Sequence, residues 1–163
     1  MPHILIVEDE TIIRSALRRL LERNQYQVSE AGSVQEAQER YSIPTFDLIV
    51  SDLRLPGAPG TELIKLGEGT PVLIMTSYAS LRSAVDSMKM GAVDYIAKPF
   101  RFEELLARVK LRAREATAGA GAVAAGERDG LAAPHRQREA LDDAGYDGPP
   151  GRDRGRDGGH RQR

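Results

Sequence analysis

Phe46-Asp47-Leu48-Ile49-Val50-Ser51-Asp52 is an apolar run that ends on a carboxylate, with Pro56, Gly57, Pro59 and Gly60 close behind. Three consecutive aliphatics bounded by polar residues and followed by turn formers predict a short buried strand that delivers Asp52 into a loop. In an open parallel α/β sheet, the crevice outside the strands' carboxyl ends is where ligands bind, above all where strand order reverses. A second such run, His3-Ile4-Leu5-Ile6-Val7, leads into Glu8-Asp9-Glu10. Two carboxylate-tipped strands lying side by side would make one acidic pocket.

Outward from these two runs, strand and helix patterns alternate five times before residue 117. Ile12, Ile13, Ala16, Leu17, Leu20 and Leu21 recur at helical spacing with Arg14, Arg18, Arg19 and Glu22 between them, an amphipathic helix with a core face. Tyr26 to Glu30 is a modest strand, and Val34 to Tyr41 a short helix stopped by Pro44. Thr61 to Leu66 predicts a third helix. Pro71 to Met75 is a fourth strand, ending on Thr76 and Ser77. Ser80 can cap a fourth helix whose Leu81, Ala84, Val85 and Met88 share a face and which Gly91 closes. Val93 to Ala97 is a fifth strand, ending on Lys98-Pro99, and a fifth helix carries Phe102, Leu105, Leu106 and Val109 as its inner stripe. This alternation predicts a five-stranded parallel sheet, doubly wound, with helices on both faces. Right-handed crossovers bring every carboxyl end to one edge, and with them Glu8, Asp9, Asp52, Thr76 and Lys98.

Residues 1–117 therefore read as one domain. Residues 118–163 contain no Lys, Ile, Phe, Met, Ser, Thr or Asn; Val123, Leu131, Leu141 and Tyr146 are their only sizeable apolar residues. So little apolar surface cannot offset chain entropy, and a disordered, low-complexity Gly/Ala/Arg/Asp-rich tail is the expectation. The net charge of −1, with 29% charged residues, advertises neither nucleic acid nor membrane as a partner. No cysteine is present, which removes disulfides, thiolate metal sites and cysteine nucleophiles and fits a reducing cytoplasm. No apolar run approaches the ~20 residues of a membrane span.

A lone Asp after a strand also reads as a turn residue or helix cap, Lys98 as a solvated charge and Thr76 as a turn hydroxyl. Their convergence favours chemistry. Crowded carboxylates repel and are tolerated around a hard cation, and oxygen-only ligands without His or Cys suit Mg²⁺. A lysine and a hydroxyl at neighbouring strand ends can neutralise and donate to phosphoryl oxygens. Phosphoryl transfer needs little beyond positioning and charge neutralisation, and a carboxylate can be the nucleophile that accepts the group.

Five segments in order, Ile6-Val7-Glu8-Asp9-Glu10, Asp47 to Gly57, Met75-Thr76-Ser77, Asp94-Tyr95-Ile96-Ala97 and Lys98-Pro99-Phe100, resemble the receiver domains of two-component response regulators. The resemblance covers residues 2 to about 114. It implies a flavodoxin-like strand order 2-1-3-4-5, with Asp52 as phosphoacceptor from a sensor histidine kinase in a Mg²⁺-dependent reaction. Glu8, Asp9 and Asp52, with the Arg54 backbone carbonyl, would hold the metal. Lys98 and Thr76 would bind the phosphoryl group, Thr76 and Tyr95 would form the switch pair, and the bond to Pro99 would be cis. A tyrosine within a strand otherwise reads as packing. The signalling face, also a possible homodimer face, would be the fourth helix, fifth strand and fifth helix, with Arg82, Lys89, Arg101, Glu103, Glu104 and Arg108 as candidate contacts.

Tyr78 to Ala92, with the segments that follow, looks most like receivers of the nitrogen-regulation type, the sigma-54-dependent transcription activators. Their ATPase and DNA-binding domains are not expected from this chain, since no Gly-rich loop ending in Gly-Lys-Ser or Gly-Lys-Thr follows. The abrupt change of composition suggests a truncated or frame-shifted gene, with a natural flexible extension as the alternative; a stand-alone receiver acting through protein contacts is the alternative to a transcription-regulator remnant. No direct DNA binding is expected. An aspartate-nucleophile phosphatase on a similar fold is the remote rival: that family places a second Asp two residues after the nucleophile, where this chain has Arg54. The expected role is a signalling switch and not a turnover enzyme.

Overall fold

Five parallel strands form one sheet, in the order β2-β1-β3-β4-β5. They are β1 (His3–Val7), β2 (Gln27–Ala31), β3 (Leu48–Asp52), β4 (Val72–Thr76) and β5 (Asp94–Ala97). The computed structural model describes residues 1–125, with side chains to residue 118. Helices connect the strands in turn: α1 (Thr11–Arg23), α2 (Val34–Arg40), α3 (Glu62–Leu66) and α4 (Leu81–Met90), with α5 (Phe102–Ala125) last. Ile43-Pro44-Thr45 forms a short 3₁₀ turn ahead of β3.

β3 and β4 are buried along their whole length, as is β1 after His3, because helices cover both sheet faces. Alternation sorts the side chains into two cores. Ile4, Ile6, Leu48, Val50, Leu73, Met75 and Ile96 pack with Leu17 and Leu21 of α1 and Leu105 and Val109 of α5. Leu5, Val7, Ile49, Val72 and Ile74 pack with Val34 and Ala37 of α2 and Leu63 of α3. The expected helix stripes hold in part. Ile12 is 85% exposed although its neighbour Ile13 packs on the core, and Phe102 is 49% exposed, one turn before the buried Leu105. On α4 the Leu81, Val85 and Met88 face points to solvent, and Ser87 is the buried position.

Local chemistry places the ends. Ser33 Oγ accepts the Glu36 N–H at the start of α2. Ser80 and Ser83 form a reciprocal capping box on α4, and Gly91 closes that helix at φ 112°, a left-handed conformation open to glycine. Gly60 is required for another reason. A Cβ there would lie 2.0 Å from the Asp52 carbonyl oxygen, so the loop after β3 folds back against the strand only without a side chain.

α5 runs past the expected end near residue 117, through Gly119 and Gly121, to Ala125. Alanines at 116, 118, 120, 122, 124 and 125 are the strongest helix formers and offset the ~1 kcal/mol that each glycine costs. The rest of the expected tail, 126–163, lies outside the described residues.

Candidate functional site

The order of strands reverses between β1 and β3: the chain leaves β1 for β2 on one side, then returns to pair β3 on the other. That switch point opens the crevice in which open α/β sheets bind ligands. β1 delivers Glu8 and Asp9 there, and β3 delivers Asp52. Carboxylate oxygens of these three lie within 4.8 Å of one another, the only such acidic group among the described residues. Glu8 is fully buried, Asp52 is 8% exposed and Asp9 is exposed.

Lys98 follows β5 and reaches back to the same point. Its Nζ donates to Glu8 Oε2 at 2.6 Å and to Asp52 Oδ2 at 3.0 Å. The next peptide, Lys98–Pro99, is cis. The Glu10 N–H donates to Glu8 Oε1, and the Arg54 N–H to Asp52 Oδ1. Arg14 Nη1 supports the loop from α1 by donating to the Glu8 carbonyl at 2.7 Å.

These contacts set the protonation chemistry. Burial disfavours the Glu8 charge and raises its pKa above the usual carboxylate value, against the lowering pull of Lys98 and of the Glu10 N–H. Burial works against the Lys98 charge too, but its hydrogen bonds to Glu8 and Asp52 outweigh that cost and raise its pKa. The ammonium is thus held protonated between two acids. An all-oxygen donor set of three clustered carboxylates, one of them open to solvent, fits a hard divalent cation such as Mg²⁺.

β4 contributes Thr76, fully buried, whose Oγ1 accepts the Tyr78 N–H at 3.0 Å. The hydroxyl proton is left to donate elsewhere. Tyr95, one strand away, is not joined to Thr76 by a hydrogen bond. Its phenol pairs with Ser83 Oγ, inside the α4 capping box. β5 is also tied to α5, since Arg108 and Arg112 both bind Asp94 and Arg108 donates to the Tyr95 carbonyl.

Glu8, Asp9, Asp52 and Lys98, each a residue singled out in the sequence, converge on one point, and Thr76 lies at the neighbouring strand end. Ser83 and Arg14 were not legible as site residues. The Ser80-x-x-Ser83 spacing signals a cap but not its aromatic partner, and Arg14 looks like one more polar-face arginine.

Residues 4–110 match the family model of the response regulator receiver domain. Among relatives, the chain is 38% identical over 117 residues to the transcriptional regulatory protein ResD of Bacillus subtilis, covering 70% of this chain and 49% of that protein. It is 37% identical to the two-component response regulator PhoP of Pseudomonas aeruginosa, covering 70% of this chain and 52% of that protein. The chain therefore spans about half the length of these relatives. A CheY-like receiver domain structure from Methanospirillum hungatei is 34% identical, with a TM-score of 0.67 over 73% of this chain and 98% of that one. The beryllofluoride-activated NtrC4 receiver domain dimer is 30% identical, with a TM-score of 0.65 over 71% of this chain and 99% of that one. No helix among the described residues is long and apolar enough to cross a membrane. With its fold, its strand order and the match over residues 4–110, the chain belongs to the family of response regulator receiver domains of two-component systems.

Proposed function

We propose that Asp52 accepts a phosphoryl group from the phosphohistidine of a sensor histidine kinase, and that the chain is a signalling switch rather than a turnover enzyme. The observation that carries this reading is the convergence of Glu8, Asp52 and Lys98 at the switch point of the sheet, within hydrogen-bond distance of one ammonium. An Asp52 carboxylate oxygen attacks phosphorus, the P–N bond to the kinase histidine breaks, and the imidazole leaves. Glu8, Asp9 and Asp52, with the Arg54 carbonyl, would hold Mg²⁺, which when bound supplies charge neutralisation for the phosphoryl oxygens. Lys98 is already at Asp52 and supplies a second positive charge. Thr76, with a free hydroxyl proton, donates to the transferred group.

The signal then passes to the face made by α4, β5 and α5. Tyr95 and α4 are linked through Ser83, so a shift of Thr76 toward phosphate, followed by the Tyr95 ring, would disturb the α4 cap. Leu81, Val85 and Met88 stand exposed on that face and suit a homodimer contact. The NtrC4 receiver is a dimer in its activated form, which supports a homodimer here and the nitrogen-regulation subtype. ResD is a transcriptional regulatory protein, and this supports a role for the chain as the receiver part of a transcription regulator.

Incubation with acetyl phosphate and Mg²⁺, followed by intact mass, tests the reading. One added phosphoryl group is expected, and none in Asp52→Asn. A gain of mass in that variant would overturn the assignment.

A further inference from the structure

Glu8 and Asp52 are buried and tied to the Lys98 ammonium, whereas Asp9 is the exposed member of the acidic group. Where the Asp9 carboxylate points is therefore set by the backbone that carries it. That backbone is pinned on both sides of Glu8. The Glu8 N–H donates to the Ala31 carbonyl at 3.0 Å. The Glu8 carbonyl, half of the peptide that leads into Asp9, accepts from Arg14 Nη1 at 2.7 Å. This second bond is charge-assisted, and it fixes the plane of the Glu8–Asp9 peptide.

Arg14 is itself aimed from β2. Its side chain is 19% exposed, and its Nε lies 3.9 Å from Glu30 Oε2. That oxygen is buried and has no hydrogen-bond partner among the described residues. The other oxygen of Glu30 lies 3.5 Å from Arg18 Nη1. Glu30 thus attracts the Nε side of the Arg14 guanidinium and leaves Nη1 for the Glu8 carbonyl. Gly32 keeps the space open, since a Cβ there would lie 3.4 Å from Arg14 Nη1. Arg14 pairs with Glu30 and not with the acidic group, so it adds positive charge behind those carboxylates without covering one of their oxygens.

We propose that Arg14, held by Glu30, is a positioning residue for the divalent cation, fixing the Glu8–Asp9 peptide so that the exposed Asp9 carboxylate stays with Glu8 and Asp52. The proposal rests on the reading of those three carboxylates as Mg²⁺ ligands. Outer partners that orient a ligand set the affinity of the site even though they never touch the metal. A bond to the ligand's own peptide does this by removing a rotation that the bound state would otherwise have to freeze.

The test compares the unsubstituted chain with Arg14→Ala, Arg14→Lys, Glu30→Gln and Arg18→Gln. Thermal unfolding is followed against Mg²⁺ concentration with no phosphodonor present, each chain being referred to its own melting temperature in EDTA. A change in stability alone leaves this readout unmoved, because the Mg²⁺ concentration at which the rise sets in reports metal affinity. That concentration should increase about tenfold in Arg14→Ala. Arg14→Lys keeps a charged donor for the Glu8 carbonyl and should recover most of the loss. Glu30→Gln should move the onset in the same direction by less. Arg18→Gln, which removes a Glu30 partner with no bond to the loop, should leave it in place. A second readout needs no metal: in EDTA, amide exchange at Asp9 and Glu10 should quicken in Arg14→Ala and not in Arg18→Gln. Where Arg14→Ala does not fold, Glu30→Gln takes its place in both comparisons. If the melting temperature of the unsubstituted chain ignores Mg²⁺, the metal assignment falls and the proposal with it. An onset that Arg14→Ala leaves unchanged, or that Arg18→Gln shifts as far, overturns the role of Arg14 alone.

Discussion

Lys98 balances two acids with one ammonium, and the cost of removing it follows from burial. Its side chain is 8% exposed and that of Glu8 is 0% exposed, so deleting the cation strands a carboxylate with little access to water. Breaking a buried pair from one side costs about 3 kcal/mol or more. Lys98→Met is therefore expected to lower stability in urea unfolding by about that amount. Adding Glu8→Gln should return more than half of it, because the stranded charge is gone. Equal stability of Lys98→Met and the unsubstituted chain would mean that the pair carries no net energy. Gly60 shows the opposite kind of residue-scale constraint. The sequence marks it only as a turn former, yet a side chain there would collide with the Asp52 carbonyl. Gly60→Ala should cost about 1–3 kcal/mol, as overpacking does, and should move the Asp52 end of β3. A melting temperature unchanged from that of the parent would contradict the close approach.

At the scale of elements, α2 and α4 begin at serine caps. At the start of α2, Glu36 Oε2 accepts the Gly32 N–H at 2.9 Å, and Arg40 donates to Oε1. The Gly32 N–H first, and Arg40 second, hold the Glu36 pKa below its ordinary value of 4.5. A carboxyl whose folded pKa is depressed stabilises the fold above the unfolded value and loses that contribution as pH falls through the folded one. Glu36→Gln should therefore flatten the loss of stability below pH 4.5 while leaving the slope above it unchanged. The side chain is 42% exposed, so solvent screening keeps the effect below about 0.5 kcal/mol at neutral pH. Identical acid titrations of stability in the two chains would remove Glu36 from the account. α4 follows the same logic with a further consequence. Its capping-box residue Ser83 is also the partner of Tyr95, which makes the first turn of α4 the part of the proposed signalling face best placed to respond.

At the scale of the whole described domain, the sheet separates two hydrophobic cores, one on each face. Leu105 packs on the α1/α5 side and Ile74 on the α2/α3 side, both fully buried. Leu105→Ala should cost about 2–5 kcal/mol and Ile74→Val about 0.5–1.5 kcal/mol. Because the sites share no cluster, the double variant should show the sum to within about 0.5 kcal/mol. Strong non-additivity would show that the sheet transmits packing strain from one face to the other. The metal should act at this scale as well. A cation that relieves three clustered carboxylates stabilises the folded chain by mass action, about 2.7 kcal/mol at a hundredfold excess over its dissociation constant. Asp9→Ala should sharply reduce the rise in melting temperature with millimolar Mg²⁺, and a rise that survives in full would place the metal elsewhere.

The sequence alone was enough to place the five strands, their helical crossovers and the edge where Glu8, Asp9, Asp52, Thr76 and Lys98 gather. Buried parallel strands are written as aliphatic runs, and a polar residue at the end of such a run has one place to go. The Ser80 cap and Gly91 were legible for the same reason, since each depends on neighbours in the chain. What tertiary structure decided depends on residues far apart in sequence. It turned Ile12 and the Leu81, Val85 and Met88 face of α4 to solvent, because a helix stripe is wider than the strip of sheet that covers it. Alanine carried α5 through Gly119 and Gly121 to Ala125, past the expected domain boundary at residue 117. Tyr95 was paired with Ser83, Arg54 with Tyr78, and one ammonium was set between Glu8 and Asp52. Side-chain partners across 12 to 90 positions leave no periodic trace, so only the packing of strands and loops brings them into contact.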